Sequence, residues 1–580
     1  MAEDKNDNPD LSSSFRETGG IDNYAIADKL SMLAKLMDIH GDNSFKAKSY
    51  TVAAFTIEKL PQQIAGLSPD KIFSIKGIGE GVGKKIVELI EVGELQLLKE
   101  YISKTPEGVL EMMNIKGLGP KKINTLWKEI GIDTIEDLQR LCVENKLAEK
   151  KGFGEKTQEK ILESIQFQQQ NDGKYLYAQV TDFAELFTTK LKTAFPENYL
   201  IITGDYRRQL EIVEKLEWVS TIPKEDLKKF LLKNNFTLVT ESNDSIAVSA
   251  DNTIHLHFHL PPEKDLQKTV FETSCSKEFF TVWQSSAYTK TSDAKTEEEI
   301  FSVAGLSYIP SYLRESASIF IKAKNKTDFN NLIQPNEIKG LIHAHSNWSD
   351  GAYTIEQMAN ELIRLGFEYL VISDHSKAAY YASGLTEQRI KEQHKYIDEL
   401  NQKVAPFKIY KSIECDILSD GTLDYTNKIL STFDLVIASI HSNLDMDEEK
   451  AMMRLMGAIT NPYVTILGHM TGRRLLKRKG YPIDHKTIID TCSAHNVVIE
   501  INSSPQRLDM DWRWVNYALE KNVLLSINPD AHSLDEFQYI KYGALVGQKG
   551  GLTKEKNLSS FSKEEFENFL QRNKKRKGII

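Results

Sequence analysis

The stretch "GLIHAHSNWSDG", Gly340 to Gly351, decides how the C-terminal part of this chain is read. An apolar run ends in two histidines one residue apart, and a carboxylate follows in a Ser-Asp-Gly turn. Side chains alternate along a strand, so His343 and His345 are expected on one side, with Ile342 and Ala344 on the other. Two imidazoles aimed together, with Asp350 just beyond them, point to a metal site. A lone His-x-His pair also occurs in ordinary sheets, so the other ligands must come from elsewhere in the chain.

The apolar runs that follow supply them. "EYLVISDHS" ends in Asp374 and His375, "FKIYKSIECD" carries Glu414, and "DLVIASIHS" ends in His441. "VTILGHMTGRR" carries His469, "NVVIEINSS" carries Glu500 and Asn502, and "VLLSINPDAHS" carries Asp530 and His532. Apolar runs alternating with helical stretches are the signature of strand–helix repeats around a parallel sheet or barrel. In such barrels the strand C-termini share one face, where active sites form. Any one of these histidines can be structural, but a ligating or polar group at the same end of every run is not explained that way. Arg473 and Arg474, just past His469, are candidate clamps for a substrate phosphate.

At 580 residues the chain is too long for one core, and roughly three to four domains are expected. No apolar run approaches the roughly 18 residues that span a bilayer. The four cysteines (Cys142, Cys275, Cys415 and Cys492) show neither disulfide nor CxxC spacing. A soluble, cytoplasmic, monomeric protein with no membrane association is the expectation. The net charge of −9 argues only weakly against nucleic acid, because local basic surfaces can still bind it.

Residues 1–20 are polar and expected to be disordered. From Asp22 to about Gln170 the chain reads helical, and a short motif recurs there: "IKGIGEGVGKKI", "IKGLGPKKINTL" and "KKGFGEKTQEKI". Each puts two glycines (Gly77 and Gly79, Gly117 and Gly119, Gly152 and Gly154) before a basic helical stretch. A tight Gly-turn feeding a helix N-terminus offers unpaired N–H groups and a favourable dipole to an anion. Lys84, Lys85, Lys121 and Lys122 add charge attraction to phosphates. Any single copy reads better as a plain helix connection; the repetition points to contacts along a DNA backbone, which position a duplex without reading its sequence.

Between about Asn171 and Ile333 strands and helices mix. "NTIHLHFHL" places His255, His257 and His259 on one strand face, and with no acid nearby a solvated or packed face is expected.

The order HxH, Asp in SDG, DH, Glu, His, GH and DAH resembles the PHP (polymerase and histidinol phosphatase) phosphoesterases. The resemblance implies a distorted (β/α)7 barrel over residues 337–575, with ligands His343, His345, Asp350, His375, Glu414, His441, His469, Asp530 and His532. It implies three ions; mixed imidazole and carboxylate ligands suit Mn²⁺ or Zn²⁺ better than Mg²⁺. Leu341 departs from the pattern, where the family often has an acid. The three Gly-turns are similar to helix-hairpin-helix elements, and "TGRRLL" and "EINSSPQRLDMDW" resemble the barrel carried by bacterial family X DNA polymerases.

On that resemblance the fold is multidomain α+β and α/β. Residues 21–100 form a lyase-like helical domain, 101–170 a fingers-like domain, and 171–333 a polymerase-beta-like palm and thumb. Lys85 stands where the family's lyase lysine is found. "GDYRRQLEIVEKLEW" is similar to the nucleotide-binding signature: Gly204, Arg207 and Arg208 are kept, Asp205 replaces a serine, and Lys215 and Glu217 replace two aspartates. His255 or His257 takes the place of the third. The expectation is a DNA-repair protein acting on gapped, nicked or abasic duplex, a metal-dependent nuclease through its barrel and a doubtful polymerase. An active base-excision polymerase, a small-molecule phosphatase and a non-catalytic DNA scaffold are the alternatives.

Overall fold

The structure is a computed structural model that describes residues 21, 23–58, 60, 63–250, 254–286 and 294–579. Residues 1–20, expected to be disordered, lie outside the described residues. The chain divides into two compact units, Met1–Asp172 and Gly173–Ile580.

The first unit is helical throughout its described residues. The three Gly-turns share one backbone geometry. Gly77, Gly117 and Gly152 sit at φ +99°, +94° and +91°, where a side chain would be strained. Gly79, Gly119 and Gly154 are extended N-caps of the helices Glu80–Val92, Pro120–Asn124 and Glu155–Asn171, and no side chain caps any of them. The apolar residue between each glycine pair (Ile78, Leu118 or Phe153) is buried and pins the turn to the core. The second helix continues as a π-helical turn over Thr125–Ile130.

The second unit holds a mixed sheet and a barrel. The sheet strands are β1 (Leu200–Thr203), β2 (Lys215–Ser220), β3 (Thr237–Glu241), β4 (Ser245–Ser249) and β5 (His255–His259), in the order β1-β2-β5-β4-β3. β2 and β5 run parallel, and every other pair is antiparallel. Leu256 and Phe258 of β5 are fully buried, Phe258 stacking on Trp218, so alternation turns the three histidines to the other face. Helices between Leu266 and Lys324 enclose an aromatic core of Phe271, Phe279, Trp283, Phe301 and Phe320.

The barrel begins at β6 (Gly340–Ala344) and continues with β7 (Tyr369–Ile372), β8 (Lys408–Lys411), β9 (Glu414–Asp416), β10 (Ile437–Ser439), β11 (Ile466–Leu467), β12 (Val498–Asn502) and β13 (Leu525–Asn528). β8 and β9 are halves of one run, broken at Ser412–Ile413, so the seven apolar runs give seven strand positions. All pairs are parallel, in sheets β8-β7-β6 and β9-β10-β11-β12-β13. Bridges Ala344–Ala531 and His375–Glu414 join the two sheets at both edges. β6 and β12 are buried along their whole length, as strands covered on both faces must be.

Sheet and barrel pack as parts of one unit. Lys549, on the barrel helix Ile540–Gly550, donates to the Arg208 carbonyl and the Glu315 carboxylate, both at 2.7 Å. Trp512 Nε1 and Arg513 donate to Glu211 at 3.0 and 3.1 Å.

Candidate metal centre

His343 is the first surprise of the site. Strand alternation predicts that it faces the same way as His345, and both do reach the centre, but not by alternation. The pairing of β6 with β7 skips His343, and its backbone sits at φ +67° in a β-bulge. A fully buried non-glycine residue held there marks a backbone bent for a purpose.

Glu414 is the hub. His441 Nε2 lies 3.1 Å, His469 Nε2 3.0 Å and His343 Nε2 3.3 Å from its Oε1, and His375 Nδ1 lies 3.0 Å from its Oε2. Asp530 Oδ1 stands 3.1 Å from His345 Nε2 and 3.4 Å from His343 Nε2. Asp350 completes the other side, 3.6 Å from His375 Nε2 and 3.5 Å from His532 Nε2. The structure therefore brings together all nine residues of the expected ligand set.

Three groups have their ligand atoms within metal-binding reach of one another: His345, Asp350, His375 and His532; His343, His345, Glu414 and Asp530; and His375, Glu414 and His441. His343 Nε2, His345 Nδ1, His375 Nδ1 and Glu414 Oε2 are buried without a hydrogen-bond partner. Buried polar atoms are almost always satisfied, so this convergence fits a set of cations. Charge tells the same story. Burial alone would raise Glu414, but the charges of His441, His343 and His375 pull it well below the usual carboxylate range. Burial, with His532 and His375 beside it, pushes His345 down to about 3, leaving a neutral imidazole suited to ligation.

Partners outside the nine orient them. Glu500 Oε2 receives His343 Nδ1 at 2.6 Å, and its Oε1 receives the His469 backbone N–H at 3.1 Å. Asp416 Oδ1 lies 3.2 Å from His441 Nδ1. Asp374 accepts from Ser346 N, Ser346 Oγ and Gln393, and so fixes the turn between His345 and Asp350. From the sequence Glu500 is only a strand-end group and Asp416 is not singled out, although Asp416 shares β9 with Glu414 and Glu500 lies on β12, between the strands that lead to His469 and Asp530.

The two arginines part company. Arg473 was expected as a phosphate clamp, but its guanidinium is spent on the Arg507 carbonyl at 3.0 Å, the Leu508 carbonyl and Asp511 at 2.6 Å. Arg474 bonds Gln506 and feels the charge of Arg507, as does Arg478. Arg507 Nε lies 3.9 Å from Asp530 Oδ2, which places this cationic group beside the centre. On the loop after His375, Tyr380 is 86% and Tyr381 54% exposed, their rings 6.0 Å apart. Burial, and after it the charges of Asp416, Glu414 and Asp350, raise the Tyr381 hydroxyl.

In the helical unit, Lys121 is exposed, whereas Lys122 Nζ folds back on the Gly117 carbonyl at 3.1 Å and Lys84 pairs with Glu80 at 2.7 Å. Lys85, which stands where the lyase lysine is expected, has its ammonium 2.6 Å from Glu88, an ion pair that holds it. In the sheet, Arg207 is held by Ser274 and Glu297, and Arg208 by Asp205 and Glu315. Gly204 at φ +66° leaves room for Glu217, whose Oε2 would lie 2.3 Å from any Cβ there. The expectation that no acid stands near the histidine face is overturned: Glu217 Oε1 lies 3.1 Å from His259 Nε2 and 3.8 Å from His257 Nδ1.

Comparison with known proteins agrees with this architecture. The chain matches a helix-hairpin-helix domain over residues 21–95, a SAM-like helix-hairpin-helix tandem over 109–166 and a PHP domain over 342–504. It is 33% identical to the DNA polymerase/3'-5' exonuclease PolX of Bacillus subtilis, over 94% of this chain and 98% of that one. A probable phosphatase of Caldanaerobacter subterraneus is 32% identical over 28% of this chain and 61% of its own length. DNA polymerase lambda of Rattus norvegicus is 31% identical over 21% of this chain and 20% of its own. With 33% identity to such a relative over 94% of its length, and with helix-hairpin-helix and PHP matches before and after the sheet, this chain belongs to the bacterial family X DNA polymerases that carry a C-terminal PHP domain.

Proposed function

We propose that this protein trims DNA 3' ends by hydrolysing phosphodiesters in the barrel, with the helix-hairpin-helix turns holding gapped, nicked or abasic duplex. The observation that carries the reading is the set of three ligand groups sharing His345, His375 and Glu414. The nine residues suit three ions of the Mn²⁺ or Zn²⁺ class, because imidazole and carboxylate donors are mixed. Such ions, when bound, supply Lewis-acid activation of water and charge neutralisation at the phosphate. The chain's own groups do the rest. Glu500 and Asp416 hold the rings of His343 and His441 in one tautomer and orientation. Arg474 and Arg507 grip the phosphate, and the Tyr380–Tyr381 pair offers faces on which unpaired bases stack, worth about 1–3 kcal/mol per base.

The sheet does not extend primers in this reading. Lys215 Nζ sits 2.9 Å from Glu217 Oε1, where the family has a second acid. A unit positive charge at about 4 Å costs a divalent ion about 8 kcal/mol at an effective dielectric near 20.

The test uses purified protein, Mn²⁺ and end-labelled single-stranded, primed and gapped DNA, with and without nucleotides. Shortening of the 3' end is expected, abolished in His343→Ala/His345→Ala while DNA binding persists. A double variant that trims at the wild-type rate rules the barrel out. Template-dependent incorporation lost in Glu217→Ala would show the sheet to be a working polymerase. The likeness of the barrel to a probable phosphatase favours a second reading, hydrolysis of small phosphomonoesters. Release of phosphate from these at a higher kcat/KM than from DNA would favour it.

A further inference from the structure

The residues that replace the family's palm aspartates, Lys215, Glu217 and His255 or His257, do not fit a pair of Mg²⁺ ions, which demand oxygen ligands. One step further along the same two strands a different donor set assembles. Glu217 on β2 lies opposite His257 on β5, and His259 follows on the same face. The two imidazole rings lie 4.3 Å apart, and both reach the same carboxylate oxygen, at 3.8 and 3.1 Å. A tetrahedral ion with bonds near 2.0–2.2 Å separates its ligand atoms by about 3.3–3.6 Å, so the observed spacings bracket what such an ion requires.

Each donor is held from behind. Burial of Leu256 and Phe258 fixes the strand face, and the left-handed Gly204 makes the space that the Glu217 carboxylate fills. The His257 and His259 side chains are 25% and 22% exposed, which gives an ion an entry path and leaves coordination positions on the solvent side. Lys215 is a built-in rival: its ammonium bonds the same Glu217 oxygen, but its stem is 45% exposed and free to swing away.

We propose that Glu217, His257 and His259 form a single-ion site of the Zn²⁺ class in the palm-like sheet, with Lys215 competing for the same carboxylate and an open position for water or an anionic oxygen. Two imidazoles and one carboxylate select a borderline transition metal over Mg²⁺. The site shares no residue with the barrel centre.

The full-length protein and its His257→Ala/His259→Ala variant are dialysed to equilibrium against Zn²⁺ or Co²⁺. Metal per chain is measured, together with the visible absorption of Co²⁺. Barrel ions contribute equally to both proteins, so the variant is expected to hold one equivalent less and to lose part of the Co²⁺ spectrum. Lys215→Met, which removes the rival charge, is expected to tighten the site by about tenfold or more. Equal metal content in wild type and variant overturns the proposal, as does displacement of the ion by Mg²⁺ at an equal concentration. If the double variant proves unfolded by circular dichroism, the Lys215→Met titration decides alone: unchanged affinity sinks the site.

Discussion

Glu500 shows how much of a metal centre can rest on a residue that need not touch an ion. Its carboxylate fixes His343 Nδ1 and also takes Asn502 and Asn528, so Nε2 is the only nitrogen His343 can offer. Glu500→Gln keeps the size but loses a charged acceptor. Metal affinity is expected to fall about 10–100-fold, read by competition with a chromophoric chelator at unchanged secondary structure. Unaltered affinity would mean that packing alone orients the ring. At Lys85, the Glu88 partner leads to the expectation of no covalent adduct when abasic DNA is treated with borohydride; an adduct lost in Lys85→Ala would reverse that. At this scale the sequence tells residue types better than their settings. The His-x-His pair was legible, but the bulge that turns His343 inward was not, because no glycine announces a positive φ there. Arg473 and Arg474 are equivalent as neighbours in sequence; only the carbonyls of Arg507 and Leu508, more than thirty residues on, tell them apart.

Among elements, the Gly-turns were the most legible, since close repetition carries its own confirmation and each turn's dihedrals are dictated by local residue type. Gly117→Ala would meet no atom within 4 Å, so its cost is backbone strain alone, about 1–2 kcal/mol. It is expected to lower the thermal midpoint slightly and to weaken duplex binding. Lys121→Ala is expected to weaken binding equally for all DNA sequences and to reduce the slope of log K against log salt by about 1. A sequence-dependent loss would show that this turn reads bases. The barrel runs were legible because strands buried on both faces are continuous apolar stretches. The sheet was less so: Glu217 and His259 are 42 residues apart, and only the order β1-β2-β5 makes them neighbours.

Across the second unit, sheet and barrel are joined by Lys549, Trp512 and Arg513. Burial presses Lys549 down to about 8, although Glu315 opposes the shift. Between about pH 8 and 10.5 the unfolded chain then binds the extra proton, so stability from this group rises with pH across that window; below it the cost of burying the charge is fully present. Comparing urea midpoints of wild type and Lys549→Met from pH 7 to 10 is expected to show a relative gain for the wild type toward high pH. Parallel curves would mean that the ammonium is not titrating there.

The same joint has a kinetic side. With sheet and barrel bonded side by side, the span from Glu217 to Glu414 is set by packing, not by a tether. On the proposed function, a strand end bound at the sheet must dissociate or slide before it meets the barrel. If the barrel trims DNA as proposed, an end first held at the sheet is cut only after its release, and a trap present from the start is expected to suppress its trimming.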